Sequence, residues 1–255
     1  MRRKGSGKRG RESLIDVSGV AGRLLPMPRR PRQAMGGLVY HVLNRAVGRG
    51  QLFEEEPDYA AFERVLAEAV RRISTRVVCY CLMPNHWHMV LWPRADDELS
   101  EFMRWLTVTH TQRWHAHRRT AGTGPVYQGR FKSFPIQQDY HFLRVCRYVE
   151  RNAQRASLVH RAEEWRWCSL WRRLNQVDGE SFLLPAADWP VDPPPDWTAV
   201  VNRREDGEEL QTLRRCVQRG APFGEAGWQK RTAARFGLES SLRPRGRPRT
   251  APTGE

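Results

Sequence analysis

His86 and His88 stand one residue apart within a run from Cys79 to Pro93 that is apolar enough to be a buried strand. Side chains at i and i+2 of a strand leave the same face, so the two imidazoles project together while Trp87, Met89 and Leu91 take the other face. Burying two polar rings side by side costs free energy unless a ligand or a hydrogen-bond network satisfies them. A divalent cation is one such ligand, because neutral imidazole offers it a lone pair. A pair of satisfied core or surface histidines is the plain alternative, and the spacing alone leaves both readings open.

A second set of reactive groups lies in the segment 139–156. Phe142, Cys146, Val149 and Ala153 recur at i, i+4, i+7 and i+11, the apolar stripe of an amphipathic helix. Tyr148 falls at the edge of that stripe, with Arg144 one turn before it, Asn152 one turn after, and Arg151 and Arg155 adjoining. Arginine clamps a phosphodiester through paired hydrogen bonds, and tyrosine can be a covalent nucleophile. A cation held by histidines and an amide oxygen polarises a phosphoryl oxygen. The mixture suits phosphate chemistry, although Tyr148 taken without the histidines reads more simply as a half-buried packing residue. An unperturbed phenol has a pKa near 10, so a nucleophilic tyrosine needs help from neighbouring positive charge. Tyr140 lies about 80° round the same helix with no asparagine one turn on. Tyr127 reads as a packing or base-stacking group, and Tyr80 as core.

The segments Leu82-Met-Pro-Asn-His-Trp-His-Met-Val-Leu91, Val126-Tyr-Gln-Gly-Arg-Phe-Lys-Ser133, Arg147-Tyr-Val-Glu-Arg-Asn152 with Arg155-Ala-Ser-Leu-Val159, and Trp165-Arg-Trp-Cys-Ser169 follow one another in this order. In that order the chain resembles the HUH-type single-tyrosine transposases, and most of all their REP-associated branch; the resemblance spans roughly residues 35 to 250. It implies that His86 and His88 hold a divalent cation, Mg2+ or Mn2+, and that Asn152 supplies a third metal-binding side chain. It further implies that Tyr148 attacks a phosphodiester of single-stranded DNA, leaving a 5′-phosphotyrosine and a free 3′-hydroxyl. The phosphotyrosine keeps the bond energy, so a second strand can be joined without ATP. Arg151 stands where the family has an apolar residue, and Ala153-Gln154 where it has Pro-Val. The family also implies a monomer or a homodimer, in which the tyrosine helix can be exchanged between subunits.

Composition fits a polyanionic partner. The chain has 43 Lys and Arg against 28 Asp and Glu, a formal net charge of +15. No segment offers the roughly 20 uninterrupted apolar residues that a membrane span needs, and the basic N-terminus lacks the apolar core of a signal peptide. A soluble, cytoplasmic protein associated with the nucleoid is the resulting expectation. The five cysteines form no Cys-x-x-Cys pair and read as reduced packing residues.

The elements that must position these groups follow from periodicity. Strands are expected over 38–44, 76–82, 86–92 and 130–137, and helices over 57–73, 97–118 and 139–156. Strand, helix, strand, strand, helix, strand is the order of a ferredoxin-like α+β sandwich, an antiparallel sheet with helices on one face. His110, His115 and His117 do not share one face of their helix, so they are expected to be exposed or phosphate-near rather than ligands. Residues 1–34 read as a disordered basic arm, 35–175 as the catalytic domain, 176–200 as a Pro-rich linker, 201–240 as a small helical DNA-binding extension, and 241–255 as a basic tail. Trp165, Trp167 and Trp171 are expected to pin a closing helix onto the domain.

Further DNA contacts are expected from Arg45 after the first strand and from Arg130 and Lys132, where aromatic and basic residues alternate. In the tail, Arg245 and Arg247 stand in an AT-hook-like Arg-Gly-Arg-Pro core suited to a minor groove. Two functions fit all of this: a metal-dependent transposase that cleaves and rejoins single strands at hairpin-forming repeats, or a domesticated protein that binds such hairpins without turnover. Both need the basic surface; only the first needs Tyr148.

Overall fold

The computed structural model describes residues 34–176 and 181–243. The basic arm before residue 34 and the tail with Arg245 and Arg247 lie outside them. Strand β1 (Val39–Arg45) leads to helix α1 (Glu56–Ile73), which a capping box between Glu55 and Asp58 and a proline in its first turn help to start. Strands β2 (Arg76–Met83) and β3 (His86–Trp92) flank the tight turn at Pro84-Asn85; helix α2 (Glu98–Arg118) and strand β4 (Lys132–Ile136) complete the repeat. The sheet order is β2-β3-β1-β4 with every pair antiparallel. This is the ferredoxin-like α+β arrangement expected from the element order.

One detail of that expectation changes: helices cover both faces of the sheet. Tyr40, Val42, Leu82, Trp87, Met89 and Leu91 pack against α1 and α2 through Phe62, Leu66, Phe102 and Leu106. On the other face Val39, Cys79, Cys81, Val90, Phe134 and Ile136 lie under helix α3 (Tyr140–Glu150), whose Phe142, Val145, Cys146 and Val149 are fully buried. The reason is in β2, where Val77 through Leu82 are all 0 % exposed. A strand apolar on both sides needs two covers. His86 and His88 leave the face that α3 covers.

The expected single helix over 139–156 is interrupted at Arg151 (φ −81°, ψ −1°), after which α4 runs Asn152–Arg155. Backbone bonds from Arg151 N to Arg147 O and from Arg155 N to Arg151 O, both 2.9 Å, span the junction. Both are the four-residue bonds of an α-helix, so the chain continues helically across the interruption.

Downstream lie α5 (Ser169–Leu174), α6 (Trp197–Asn202), α7 (Gly207–Arg219), α8 (Ala226–Phe236) and α9 (Glu239–Leu242). The described part of the stretch read as a linker is anchored: Phe182, Leu183 and Trp189 are buried, and Trp189 meets Phe142 edge-on at 5.5 Å. Leu183 pairs with Val77 on the β2 edge, and Phe223 pairs with Ile136 on the β4 edge. Each edge strand thus meets extended chain at one bridge, with apolar anchors set among the prolines. Leu213 and Cys216 of α7 join the α3 core. Trp167 stacks on Tyr59 at 5.0 Å, and Trp165 Nε1 donates to Leu82 O at 2.8 Å.

His110 differs from expectation: it is buried, with Nδ1 2.7 Å from the Tyr127 hydroxyl, which also accepts from Trp87 Nε1. Leu99, Met103, Leu106 and His110 recur at i, i+4, i+7 and i+11, so the histidine continues the buried stripe of α2. Among the described residues no helix is long and apolar enough to cross a membrane.

Candidate active site

The period of two on β3 does what it must: His86 and His88 share a face, with ring centroids 5.1 Å apart. Each ring engages a neighbour through Nδ1. His86 Nδ1 lies 2.6 Å from Asn85 Oδ1, and His88 Nδ1 lies 2.8 Å from Nε2 of His41 on β1. Neither Nε2 takes part in a described hydrogen bond.

Helix α3 brings the tyrosine to this face. Tyr148 is 7 % exposed, its ring centroid 5.7 Å from that of His88 and 6.2 Å from that of His41, both edge-on. The Arg155 guanidinium sits over the phenol ring at 4.0 Å. Its Nη2 donates to Tyr148 O at 3.1 Å and to Asn152 Oδ1 at 3.0 Å. Asn152 Nδ2 is buried without a partner.

Burial dominates the electrostatics. It lowers the pKa of His41 to about 3, with Arg155 adding to the effect. It lowers that of His86 to about 4, with Arg45 and Arg155 adding to the effect. His88 is held well below its usual range by burial and then by His41 and His86. All three rings are therefore neutral at pH 7, the state in which imidazole is a ligand. Burial pushes the Tyr148 phenol up, and the positive charges of Arg155 and Arg214 oppose that rise.

The donor set suits a divalent cation in part. Two neutral imidazoles with uncommitted Nε2 atoms can ligate, and Asn152 Oδ1 keeps a second lone pair beside the one Arg155 engages. Among the described residues no three His, Cys, Asp or Glu side chains form a metal cluster. The remaining positions would fall to water or phosphate oxygen, as hard cations accept.

The arginines divide into two groups. Arg45, Arg130 and Lys132 are exposed, as a role on DNA requires. Arg144, Arg151 and Arg155, expected to contact DNA, pair with carboxylates of the C-terminal segment. Arg155 Nη1 pairs with Glu205 at 3.1 Å and Arg151 Nε with the same carboxylate at 3.5 Å, while Arg144 pairs with Glu209 of α7. Sequence spacing correctly placed these side chains near the tyrosine helix but could not show that carboxylates 50 or more residues away would reach them.

His41, Glu205 and Arg214 are the residues of the site that sequence reasoning missed. A signal existed for His41: it interrupts the apolar run Val39–Leu43. Its register partner Val90 is on the His88 side of β3.

A family model described as "Transposase IS200 like" matches residues 34–152. The solved structure of a REP-associated tyrosine transposase bound to a REP hairpin aligns at 18% identity, covering 60% of this chain and 87% of that one, with a TM-score of 0.47. A protein of Deinococcus radiodurans R1 assigned as a transposase aligns at 15% identity, covering 49% and 97%, with a TM-score of 0.34. No curated protein matches the chain.

Proposed function

We propose that the protein is an IS200-like transposase, the family whose model matches residues 34–152, and that it cleaves and rejoins single-stranded DNA through Tyr148. The observation that carries this reading is the placement of the Tyr148 ring 5.7 Å from His88, with Arg155 at 4.0 Å over its face. A phenol with a rising pKa is a poor nucleophile, and a guanidinium against it favours the phenolate. Attack of the phenolic oxygen forms a P–O bond, breaks the bond from phosphorus to the 3′ oxygen, and releases a 3′-hydroxyl. The 5′-phosphotyrosine so formed is reversed by another strand's hydroxyl.

His86 and His88, with the Asn152 amide oxygen, would hold the cation, Mg2+ or Mn2+, which when bound supplies positive charge to a non-bridging phosphate oxygen. Asn85 orients His86 through Nδ1, and α3 packing keeps water from the phenol ring. Arg45, Arg130 and Lys132 are placed to hold the DNA backbone, and Arg151, Arg155 and Arg144 would join them if Glu205 and Glu209 released them. Because Tyr148 and His88 meet within one chain, a monomer contains the parts needed. The ordered motifs of the REP-associated branch point to hairpin-forming repeats as the substrate, and the helical extension and basic tail to added DNA affinity.

The test incubates protein with labelled hairpin-bearing single-stranded DNA and Mn2+, then measures protein–DNA adducts that survive denaturation. Tyr148→Phe is expected to abolish the adduct and His86→Ala to reduce it strongly. An adduct that persists in Tyr148→Phe moves the nucleophile elsewhere, with Tyr140 first in line. Tight hairpin binding by the native protein with no adduct makes it a binding protein.

A further inference from the structure

His41 has no part in the proposed cleavage, yet it is 1 % exposed, within the run Val39–Leu43 that is otherwise built of Val, Tyr and Leu. A buried imidazole at such a position is costly unless something uses its hydrogen-bonding capacity. Its described hydrogen bond is the 2.8 Å contact between its Nε2 and His88 Nδ1. Its ring is also fixed from two sides, stacked on Phe134 at 4.8 Å and 25° and edge-on to Tyr148 at 6.2 Å. One side chain thus touches both the candidate ligand ring and the ring of the candidate nucleophile.

Two ring nitrogens at that separation share a single proton, and the direction of sharing determines what His88 presents with its other nitrogen. If His41 Nε2–H donates, His88 Nδ1 is the acceptor; a neutral His88 then carries its proton on Nε2 and has no lone pair for a cation. If His88 Nδ1–H donates, His88 Nε2 is bare.

We propose that His41 is a positioning residue: its Nε2 accepts the proton-bearing Nδ1 of His88, locking that ring in the tautomer and orientation in which Nε2 is a metal ligand. This rests on the reading of His86 and His88 as cation ligands. Partners of this kind, which hold a ligand imidazole by its second nitrogen, contribute about 10- to 100-fold to metal affinity. His41 stands on a different strand from His88 and is braced by Phe134, so the acceptor is fixed by the β1–β3 register.

The test measures binding of Mn2+ alone to the full chain by electron paramagnetic resonance, together with the 15N chemical shifts of the His88 ring in the metal-free protein. His41→Phe keeps a ring against Phe134 but removes the acceptor, and it should weaken Mn2+ binding by about 10- to 100-fold. His41→Gln places an amide oxygen near the Nε2 position and should stay within a few-fold of native. A role in packing alone would favour the phenylalanine over the glutamine, the reverse order. His88→Ala separates the two levels. If it leaves Mn2+ binding intact, the cation reading fails. If it abolishes binding while His41→Phe binds like the native protein, only the role of His41 fails. The shifts decide independently of any variant's folding: a proton on His88 Nδ1 supports the proposal, and a proton on Nε2 overturns it.

Discussion

Arg155 concentrates four interactions on one guanidinium: the Tyr148 ring, the Tyr148 carbonyl, Asn152 Oδ1 and Glu205. Lysine keeps the charge but cannot make a planar, forked set of bonds or stack on the phenol in the same way. Arg155→Lys should therefore slow adduct formation by about 10-fold or more, the equivalent of the roughly 1–2 kcal/mol that a desolvated cation–π contact contributes. Single-turnover kinetics on labelled hairpin DNA measures this. An unchanged rate would remove Arg155 from the nucleophile's environment. At this scale sequence periodicity located Tyr148, Asn152 and Arg155 as neighbours, because residues three, four and seven apart on a helix meet by geometry alone. It could not locate His41, whose contact with His88 depends on two strands pairing.

The elements are joined by buried polar networks whose removal has predictable effects. Glu150, at the end of α3, is 0 % exposed; it accepts from Ser169 Oγ at 2.6 Å, Arg173 Nη1 at 2.7 Å and Trp197 Nε1 at 2.7 Å. It thereby ties α3 to α5 and α6. Glu150→Ala strands the Arg173 charge and should destabilise by about 3–5 kcal/mol, read from the urea midpoint. A shift below about 1 kcal/mol would mean that water replaces the carboxylate. His110 links α2 to the sheet through Tyr127 and has its pKa lowered by burial to about 4. Its unfolded value is near 6.5, so the unfolded state binds the extra proton first. Stability from this group is complete above about pH 6.5 and declines as pH falls toward 4, by at most about 1.4 kcal/mol per pH unit. The slope of stability against pH in this window should be shallower in His110→Gln by about one proton, measured by urea unfolding at stepped pH. The α2 stripe that ends in His110 was present in the sequence. The coverage of both sheet faces was also implicit, in the two-sided apolar character of β2.

At the scale of the whole molecule, a chain of formal charge +15 holds two carboxylates, Glu205 and Glu209, against the arginines nearest the tyrosine helix. DNA phosphates and these carboxylates compete for the same guanidinium groups. Glu205→Gln with Glu209→Gln should tighten binding to single-stranded DNA and steepen its salt dependence by about 0.7 per additional phosphate contact. Fluorescence anisotropy across a salt series reads both, and unchanged affinity and slope would place those arginines away from the DNA. The double variant should also be less stable, since Arg151 and Arg155 are only 14% exposed and lose their counter-charge.

Local periodicity determined the strand and helix spans, the common face of His86 and His88, and the burial of Phe142, Cys146, Val149 and Ala153. Each of these depends on the pitch of a single element, and a single element's pitch is written in consecutive residues. Only the tertiary structure decided which helix covers the second face of the sheet, that His41 meets His88, and that Glu205 engages Arg151 and Arg155. Those contacts join groups 47 to 54 positions apart in the chain. They exist because sheet register and helix docking bring the strands and the C-terminal segment together, and no spacing within one segment encodes that meeting.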